Sequence, residues 1–495
     1  MSKLGLFFKK KRKTNQNQSV EHIKDLTEFI KSSFHYPNNK DFKIREVFIP
    51  SLKRTAQLFF LETIVDSQEL ETAIIRPLTL DYSESRTLQS LITAKSIEIA
   101  SDRKDALTKM VKGSVGLIVE RDKNIYLLNV TKFPKRSIGK AESEIVLKGP
   151  KEAFTESASD NMGLIRKRIL NENLVFENVT VGNISNNDAV IVYLSNVANA
   201  NLIDSVKKRI KEIQSDGVIN LEILEQYIED NPKSLVATMA YTERPDRVAS
   251  HIDQGYVAIL MENSSSALLL PTTFWSFFHS VEDHYLRMPY GNYIRILRVI
   301  ALLIAMLTSA SYVAITNFHS EMIPPDLLLA IAGAREKVPF PIAVEVLIME
   351  VAFELIREAG LRIPSAIGPT IGIVGALILG QAAVEANIVS PIIIIVVAIS
   401  GLSSFLISDI SFNFAVRIGR FGFILGAATF GFLGIMGVLV MGLSYLTTIK
   451  SFGVPFFAPM TPQYRSSGDT IFRRIVQNEL FRPAFLKTKR PRRKG

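Results

Sequence analysis

The chain has 495 residues, 47% of them apolar, with a formal net charge of +10 and no cysteine. That length exceeds one soluble core, so several domains are expected. The missing cysteines exclude disulfides, thiolate metal sites and cysteine nucleophiles. The charge is concentrated at the ends, with six Lys/Arg and no acid between Lys3 and Lys13 and seven more from Arg482 to Lys494. These cations outnumber the net charge, so the rest of the chain is slightly acidic. A nucleic-acid protein more often carries its charge on a folded face, and no nucleic-acid partner is expected. Basic ends flanking apolar segments instead fit the positive-inside bias and anionic lipid headgroups.

The opening "MSKLGLFFKKKRKT" lacks an apolar run of leader length, so no cleavable signal is expected. "SVEHIKDLTEFIKSSF" predicts a helix with Ser19 as N-cap. "AQLFFLETIV", "SVGLIVE" and "NIYLLNV" predict strands, the last two forming a hairpin across "RDKN". Gly149-Pro150 marks a break, and "NMGLIRKRIL" a helix joining two subdomains. Beyond it lie strands "ENVTVG" and "AVIVYLS", helices "NLIDSVKKRIKEIQ" and "NLEILEQYIED", and the strand "GYVAILME". This alternation predicts a two-part α/β or α+β soluble domain. "NVT" and "NIS" match glycosylation acceptors, a reading that a cytosolic location removes. No internal repeat stands out.

From Ile294 the character changes, and the mean hydropathy of +0.20 for the whole chain reflects this C-terminal part. "IRILRVIALLIAMLTSASYVAITNF" is long enough to span a bilayer, with Arg295 and Arg298 at its start. "PPDLLLAIAGAREKVPFP" is too short and too charged to do so. "IAVEVLIMEVAFELIREAG" is helical but carries Glu345, Glu350, Glu354, Arg357 and Glu358. Then follow "RIPSAIGPTIGIVGALILGQAAVEAN", "IVSPIIIIVVAISGLSSFLIS" and "FGFILGAATFGFLGIMGVLVMGLSYL". The expectation is four spans plus one charged helix, with both basic termini cytoplasmic. The expected domains are a tail at 1–20, α/β subdomains at 21–149 and 150–290, a transmembrane helical domain at 291–450 and a basic cytoplasmic tail at 451–495.

In Arg362–Asn387, Thr370, Val374, Leu377, Gln381 and Glu385 fall within roughly 80° on one helical face. Gly368, Gly372, Ala376 and Gly380 form an i+4 row on about the opposite side, the pattern of close helix packing in lipid. The first face suits a pore or transport path, since apolar side chains gate by dewetting and carboxylate rings favour cations. The alternative places Gln381 and Glu385 at the membrane edge, capping the helix. Glu350, Glu354 and Glu358 form either a solvated face of an interfacial helix or an acidic vestibule, with one carboxylate pairing with Arg357 or Arg362. Arg417 and Arg420 are expected to mark the cytoplasmic boundary of the last span. No phosphate loop, nucleophile elbow or two-His metal face is present, so no catalytic residue, metal site or cofactor is predicted.

"REAGLRIPSAIGPTIGIVGALILGQAAVEANIVSPIIIIVVA" resembles the signature region of the A subunits of GerA-family spore germination receptors. "VLKGPKEAFTESASDNMGLIRKRI", "TERPDRVASHIDQGYVAILMENSSSALLLP" and "SFGVPFFAP" resemble further family blocks in family order. The resemblance implies a multi-pass protein of the spore inner membrane with cytoplasmic termini. It implies a transporter-like B subunit that binds nutrient, a lipoprotein C subunit, and a homo-oligomer, a pentamer, acting as a germinant-gated cation channel. Val374 and Leu377 would then lie near the constriction. Alternatives are a non-conducting scaffold of the receptor and the related spoVA-group spore membrane protein, which "GQAAVEANIVSPI" fits less well.

Overall fold

The computed structural model describes residues 24–81, 87–133, 141, 144, 146–362, 378, 380–465 and 470–493. The chain divides into two compact units: Met1–Glu229 with Tyr241–Pro271 and Leu480–Gly495, and Asp230–Ala240 with Thr272–Glu479.

The first unit holds two five-stranded sheets. In one, β1 (Phe42–Ile49), β2 (Arg54–Leu61), β3 (Ile97–Ile99), β4 (Ser114–Val119) and β5 (Ile125–Asn129) run in the order β1-β2-β4-β5-β3. Alternation along the strands sends neighbouring side chains to opposite faces. Leu58, Leu117 and Leu128 enter one apolar core with Ile74 and Leu78. Phe59, Ile118 and Leu127 enter another with Ile30 and Met110. Helices therefore cover both faces. All its ladders are antiparallel, so the strand–helix alternation builds an antiparallel sheet rather than a parallel βαβ one.

The second sheet, β6 (Leu174–Val181), β7 (Asn187–Leu194), β8 (Ala240–Thr242), β9 (Val257–Met261) and β10 (Ala267–Leu270), runs β6-β7-β9-β10-β8. Counted from its own first strand, this is the order of the first sheet. The helices repeat too: one precedes each sheet, at 24–33 and Ala158–Arg168, and one precedes each fourth strand, at Arg103–Val111 and Pro245–Gln254. The unit is a structural duplication, which the sequence reading missed. Each fourth strand follows a glycine in the left-handed region, Gly113 at φ 102° and Gly255 at φ 100°, a conformation that side chains resist.

Arg166 joins the two modules. Fully buried, it donates from Nε to Asp41 Oδ2 at 3.0 Å and from its Nη atoms to the Asn171 and Leu174 carbonyls, each at 3.0 Å. The amide of Lys40 donates to Phe176 O at 2.9 Å beside it.

The second unit is helical. Its long elements are Met288–Phe318, Pro325–Arg335, Ile342–Arg362, Pro391–Ser404 and Ile410–Thr448. The first and last are long and apolar enough to cross a membrane, and only 33% of each apolar window is buried inside the protein. The 39-residue Ile410–Thr448 segment is not one straight helix. Gly431 adopts φ 60°, ψ −135°, and the chain folds back there. A Cβ on Gly426 would lie 2.8 Å from Val438 Cγ2, and one on Gly434 would collide with the Gly426 carbonyl. Residues eight apart in a straight helix are about 12 Å apart, so this is a helical hairpin of two close arms. Phe430 and Leu433, 70% and 81% exposed, stand at its tip. The single span expected over "FGFILGAATFGFLGIMGVLVMGLSYL" is corrected accordingly: small residues let the two arms touch backbone to backbone.

The basic C-terminal end also departs from the solvated tail expected. Arg482, Phe485 and Leu486 are buried in the first unit, where an apolar dipeptide and a guanidinium with several carbonyl partners hold the segment down.

Candidate functional site: the polar residues of the helical unit

Ile342–Arg362 packs its apolar stripe, Ile342, Val346 and Met349, against Ala310 and Val313, against Ile393 and Val397, and against Phe423 and Ala427. Its carboxylates consequently point into the bundle. Glu345 is fully buried; its Oε1 accepts from Arg335 Nε at 3.1 Å and Nη2 at 2.9 Å, and its Oε2 from the Ser390 amide at 3.0 Å. Glu350, also fully buried, accepts from Ser309 Oγ at 2.6 Å and lies 3.0 Å from Arg420 Nη2. Glu354 takes Arg417 Nε and Arg420 Nη2, each at 2.7 Å. Arg420 also donates to Ser400 Oγ at 3.1 Å.

Arg357 lies 4.0 Å from Glu354 and donates to Ser404 Oγ at 2.6 Å, with its guanidinium 4.2 Å from the centre of the Phe405 ring. Glu358 also has an interaction partner. Glu350 and Glu354 are thus parts of a compensated network rather than a solvated face. Arg417 and Arg420 lie in the first part of the Ile410–Thr448 segment and are both engaged with Glu354. Burial forces this arrangement, because an unpaired charge among apolar helices is far costlier than a paired one. The serines were missed, although Ser400, Ser403 and Ser404 within an apolar run signal hydrogen bonding between helices.

Gln381 and Glu385 lie outside that network. Both are exposed, and Gln381 Nε2 donates to Glu385 Oε1 at 2.9 Å. Among the described residues no cation lies within ion-pair distance of Glu385. The helix ends just beyond: Asn387 adopts φ 56°, its amide donates to Val384 O and that of Ile388 to Ala383 O, each at 2.9 Å. These are the bonds of a Schellman cap, so the backbone terminates the helix and Glu385 is not needed for it. A carboxylate in the last helical turn even opposes the helix dipole. On the other side Gly380 is buried against the Pro391–Ser404 helix, where its Cβ would lie 3.7 Å from Ile394 Cδ1. Thr370, Val374, Leu377, Gly368, Gly372 and Ala376 lie outside the described residues.

Ahead of the first long helix, Asp283 is fully buried and accepts from Arg295 Nε at 3.0 Å and Arg298 Nη1 at 2.8 Å. Burial pushes its carboxyl up, but the Arg298 and Arg295 charges outweigh burial and hold it below the usual range.

The chain thus consists of an α/β unit of two like modules and a helical unit with exposed apolar faces and two segments long and apolar enough to cross a membrane. The profile described as Bacillus/Clostridium GerA spore germination protein matches residues 28–485, and the chain belongs to that family. It is 35% identical to spore germination protein KA of Bacillus subtilis (strain 168) over 92% of this chain and 84% of that protein. It is 34% identical to the uncharacterized membrane protein YfkQ of the same organism, over 88% of this chain and 84% of that protein. The crystal structure of the N-terminal domain of the A subunit of the Bacillus megaterium spore germinant receptor GerK3 matches 50% of this chain and 94% of that chain, at a TM-score of 0.39 and 24% identity.

Proposed function

We propose that the protein is the A subunit of a nutrient receptor of bacterial endospores, and that in the spore inner membrane it oligomerises, as a pentamer, into a germinant-gated cation channel. A transporter-like nutrient-binding subunit and a lipoprotein subunit are its partners in this reading. The observation that carries it is the contrast among carboxylates. Glu345, Glu350 and Glu354 are each matched by arginine inside the bundle, whereas Glu385 is exposed beside Gln381 with no cation at hand among the described residues. A carboxylate in that position is tolerated where it meets water in a path rather than lipid. Repeated around a symmetry axis it becomes a ring that attracts cations. Thr370, Val374 and Leu377 continue the same face toward a constriction, with Gly368, Gly372, Ala376 and Gly380 packing behind it. In this reading Glu350, Glu354 and Glu358 hold the bundle around the path mouth rather than offering it free negative charge.

The test is cation release from spores at matched protein level. Val374→Ala is expected to leak or germinate without nutrient, Val374→Phe to block release, and Glu385→Gln to slow it, most at low salt where screening is weak. Wild-type release in all three variants would overturn the conducting role and leave a non-conducting scaffold as the function.

A further inference from the structure

The C-terminal segment of the first unit builds a basin that the channel reading does not use. Leu480–Arg493 folds back on itself: Phe481 and Arg492 form an antiparallel bridge, the Arg482 amide donates to Pro491 O at 2.8 Å, and the Arg493 amide to Leu480 O at 2.9 Å. At the centre lies the Arg482 side chain. It donates from Nε to Asp253 O at 2.7 Å and from Nη1 to the carbonyls of Arg490 and Arg492 at 3.1 and 2.8 Å. Gathering those carbonyls inward leaves the side chains of Lys489, Arg490 and Arg492 exposed at the rim. The segment is fixed to the module by the Lys489 amide on Val197 O at 2.9 Å, by Asn199 Nδ2 on Leu486 O at 3.3 Å, and by buried Phe485 edge-on to Tyr256. Gly255 makes room, since a side chain there would strike Thr488.

The result is a cavity of about 580 Å³ lined by Arg482, Lys489, Arg490, Arg492 and Arg493, with Asp253 as its one carboxylate. Some exposed cations of this unit pair with acids, as in Arg45–Glu71, Lys109–Glu98 and Lys43–Glu62, while others such as Lys53 and Lys123 stand singly on the surface among the described residues; the basin differs in bringing several cations together. Here, among the described residues, Lys489, Arg490 and Arg492 form no ion pair, and Asp253 is shared by Arg482 and Arg493 at 3.6 and 3.5 Å. Burial, reinforced by the neighbouring Arg493 and Arg490 charges and only partly offset by Asp253, holds the Arg482 guanidinium below its ordinary pKa. Folding has therefore gathered like charges that, among the described residues, only Asp253 offsets, with Lys489 Nζ donating to the neutral Ser195 carbonyl at 2.8 Å. Planar guanidinium forks on a fixed backbone match phosphate oxygens two at a time, and a cavity of this size admits more than a single small ion.

We propose that this basin is a binding site for a phosphate-bearing anion, held by Lys489, Arg490 and Arg492 on a loop organised by Arg482. A soluble phosphate compound and a phospholipid headgroup present the same chemistry, and the experiment separates them.

The full chain is placed in phosphatidylcholine nanodiscs, and amide hydrogen exchange is followed over 195–199 and 480–493. One arm adds inorganic pyrophosphate at constant ionic strength; the other replaces part of the lipid with phosphatidylglycerol. The expected result is slower exchange of the Arg482, Lys489 and Arg493 amides in at least one arm, by about tenfold when the free anion is about ten times its dissociation constant. Slowing by pyrophosphate identifies a soluble ligand; slowing by phosphatidylglycerol alone identifies a headgroup. The triple variant Lys489→Gln, Arg490→Gln, Arg492→Gln is expected to lose the response, and the charge-keeping Lys489→Arg, Arg490→Lys, Arg492→Lys to retain it. No slowing in either arm overturns the proposal, as does an undiminished response in the glutamine variant. Loss of the response in both variants marks the three side chains as structural and overturns it as well.

Discussion

Asp283 shows how one residue can tie a helix start to its surroundings. Its carboxylate takes both Arg295 and Arg298, and its carbonyl accepts from Arg473 Nη1 at 2.7 Å. The sequence displayed the two arginines at the head of an apolar run, where a boundary reading is natural, but not the acid that faces them from outside the helix. Because its pKa is lower folded than unfolded, Asp283 adds stability above its unfolded value of about 3.9, and that stability is lost as pH falls through the folded value. Thermal unfolding of the full chain in detergent is therefore expected to show a constant penalty for Asp283→Asn from pH 8 to pH 5 that shrinks below about pH 4. A penalty independent of pH down to pH 3 would assign Asp283 a packing role alone.

At the scale of elements, the least legible feature was the hairpin at Gly431. Composition predicts an apolar helix from Phe421 to Leu446, and every residue in it tolerates that conformation. What breaks it is long-range. Gly422, Gly426 and Gly434 let the two arms close, and Phe318 and His319 crowd Gly431, whose Cβ would meet their atoms at 3.0 to 3.1 Å. Gly431 also carries a φ, ψ pair that a residue with a side chain reaches only with strain of about 1–3 kcal/mol. The chain lacks cysteine, so an engineered pair reports cleanly. Gly422→Cys with Val438→Cys is expected to form a disulfide within one chain, since a Gly422 Cβ would lie 3.9 Å from Val438 Cγ1. In a continuous helix those positions would be about 24 Å apart and would stay reduced. The end of the preceding helix was more legible: Asn387 is a residue type that accepts the left-handed cap, and it lies where the periodic pattern stops.

For the whole molecule, the duplication was written in the sequence but visible only once strand order was known. "GSVGLIVE" and "GYVAILME" share Gly, Val, a small residue, three apolar residues and Glu at the same spacing, Gly113–Glu120 against Gly255–Glu262. Eight residues are too few to prove a repeat by themselves. Matching strand orders and matching helix positions make it one. The modules meet at Arg166 and Asp41, both fully buried, and Asp41 also accepts from the amide and hydroxyl of Thr63 at 3.0 and 2.8 Å. Removing one partner of such a pair is expected to cost about 3–5 kcal/mol, because the other is left charged in a dry interior. Arg166→Met should lower the unfolding temperature of the full chain by several degrees, and Arg166→Met with Asp41→Asn should recover part of the loss. An additive double variant would show that the two side chains do not act as a pair.

The sequence alone determined the properties that depend on local pattern: two α/β modules ahead of an apolar helical region, helix and strand types, the missing cysteine chemistry, and the polar pair Gln381 and Glu385 on one helical face. Periodicity fixes which face of an element is apolar, and caps fix where it ends. Tertiary structure decided which charges are spent inside the fold and which remain free. Glu350, Glu354 and Glu385 look alike in the sequence, but among the described residues two meet an arginine from another helix and one does not. The same holds for the basic end, where Arg482 turns inward on carbonyls and its neighbours turn outward. Pairing joins residues from Asp41 to Arg166 and from Glu350 to Arg420, far apart along the chain, and local pattern carries no information about such partners.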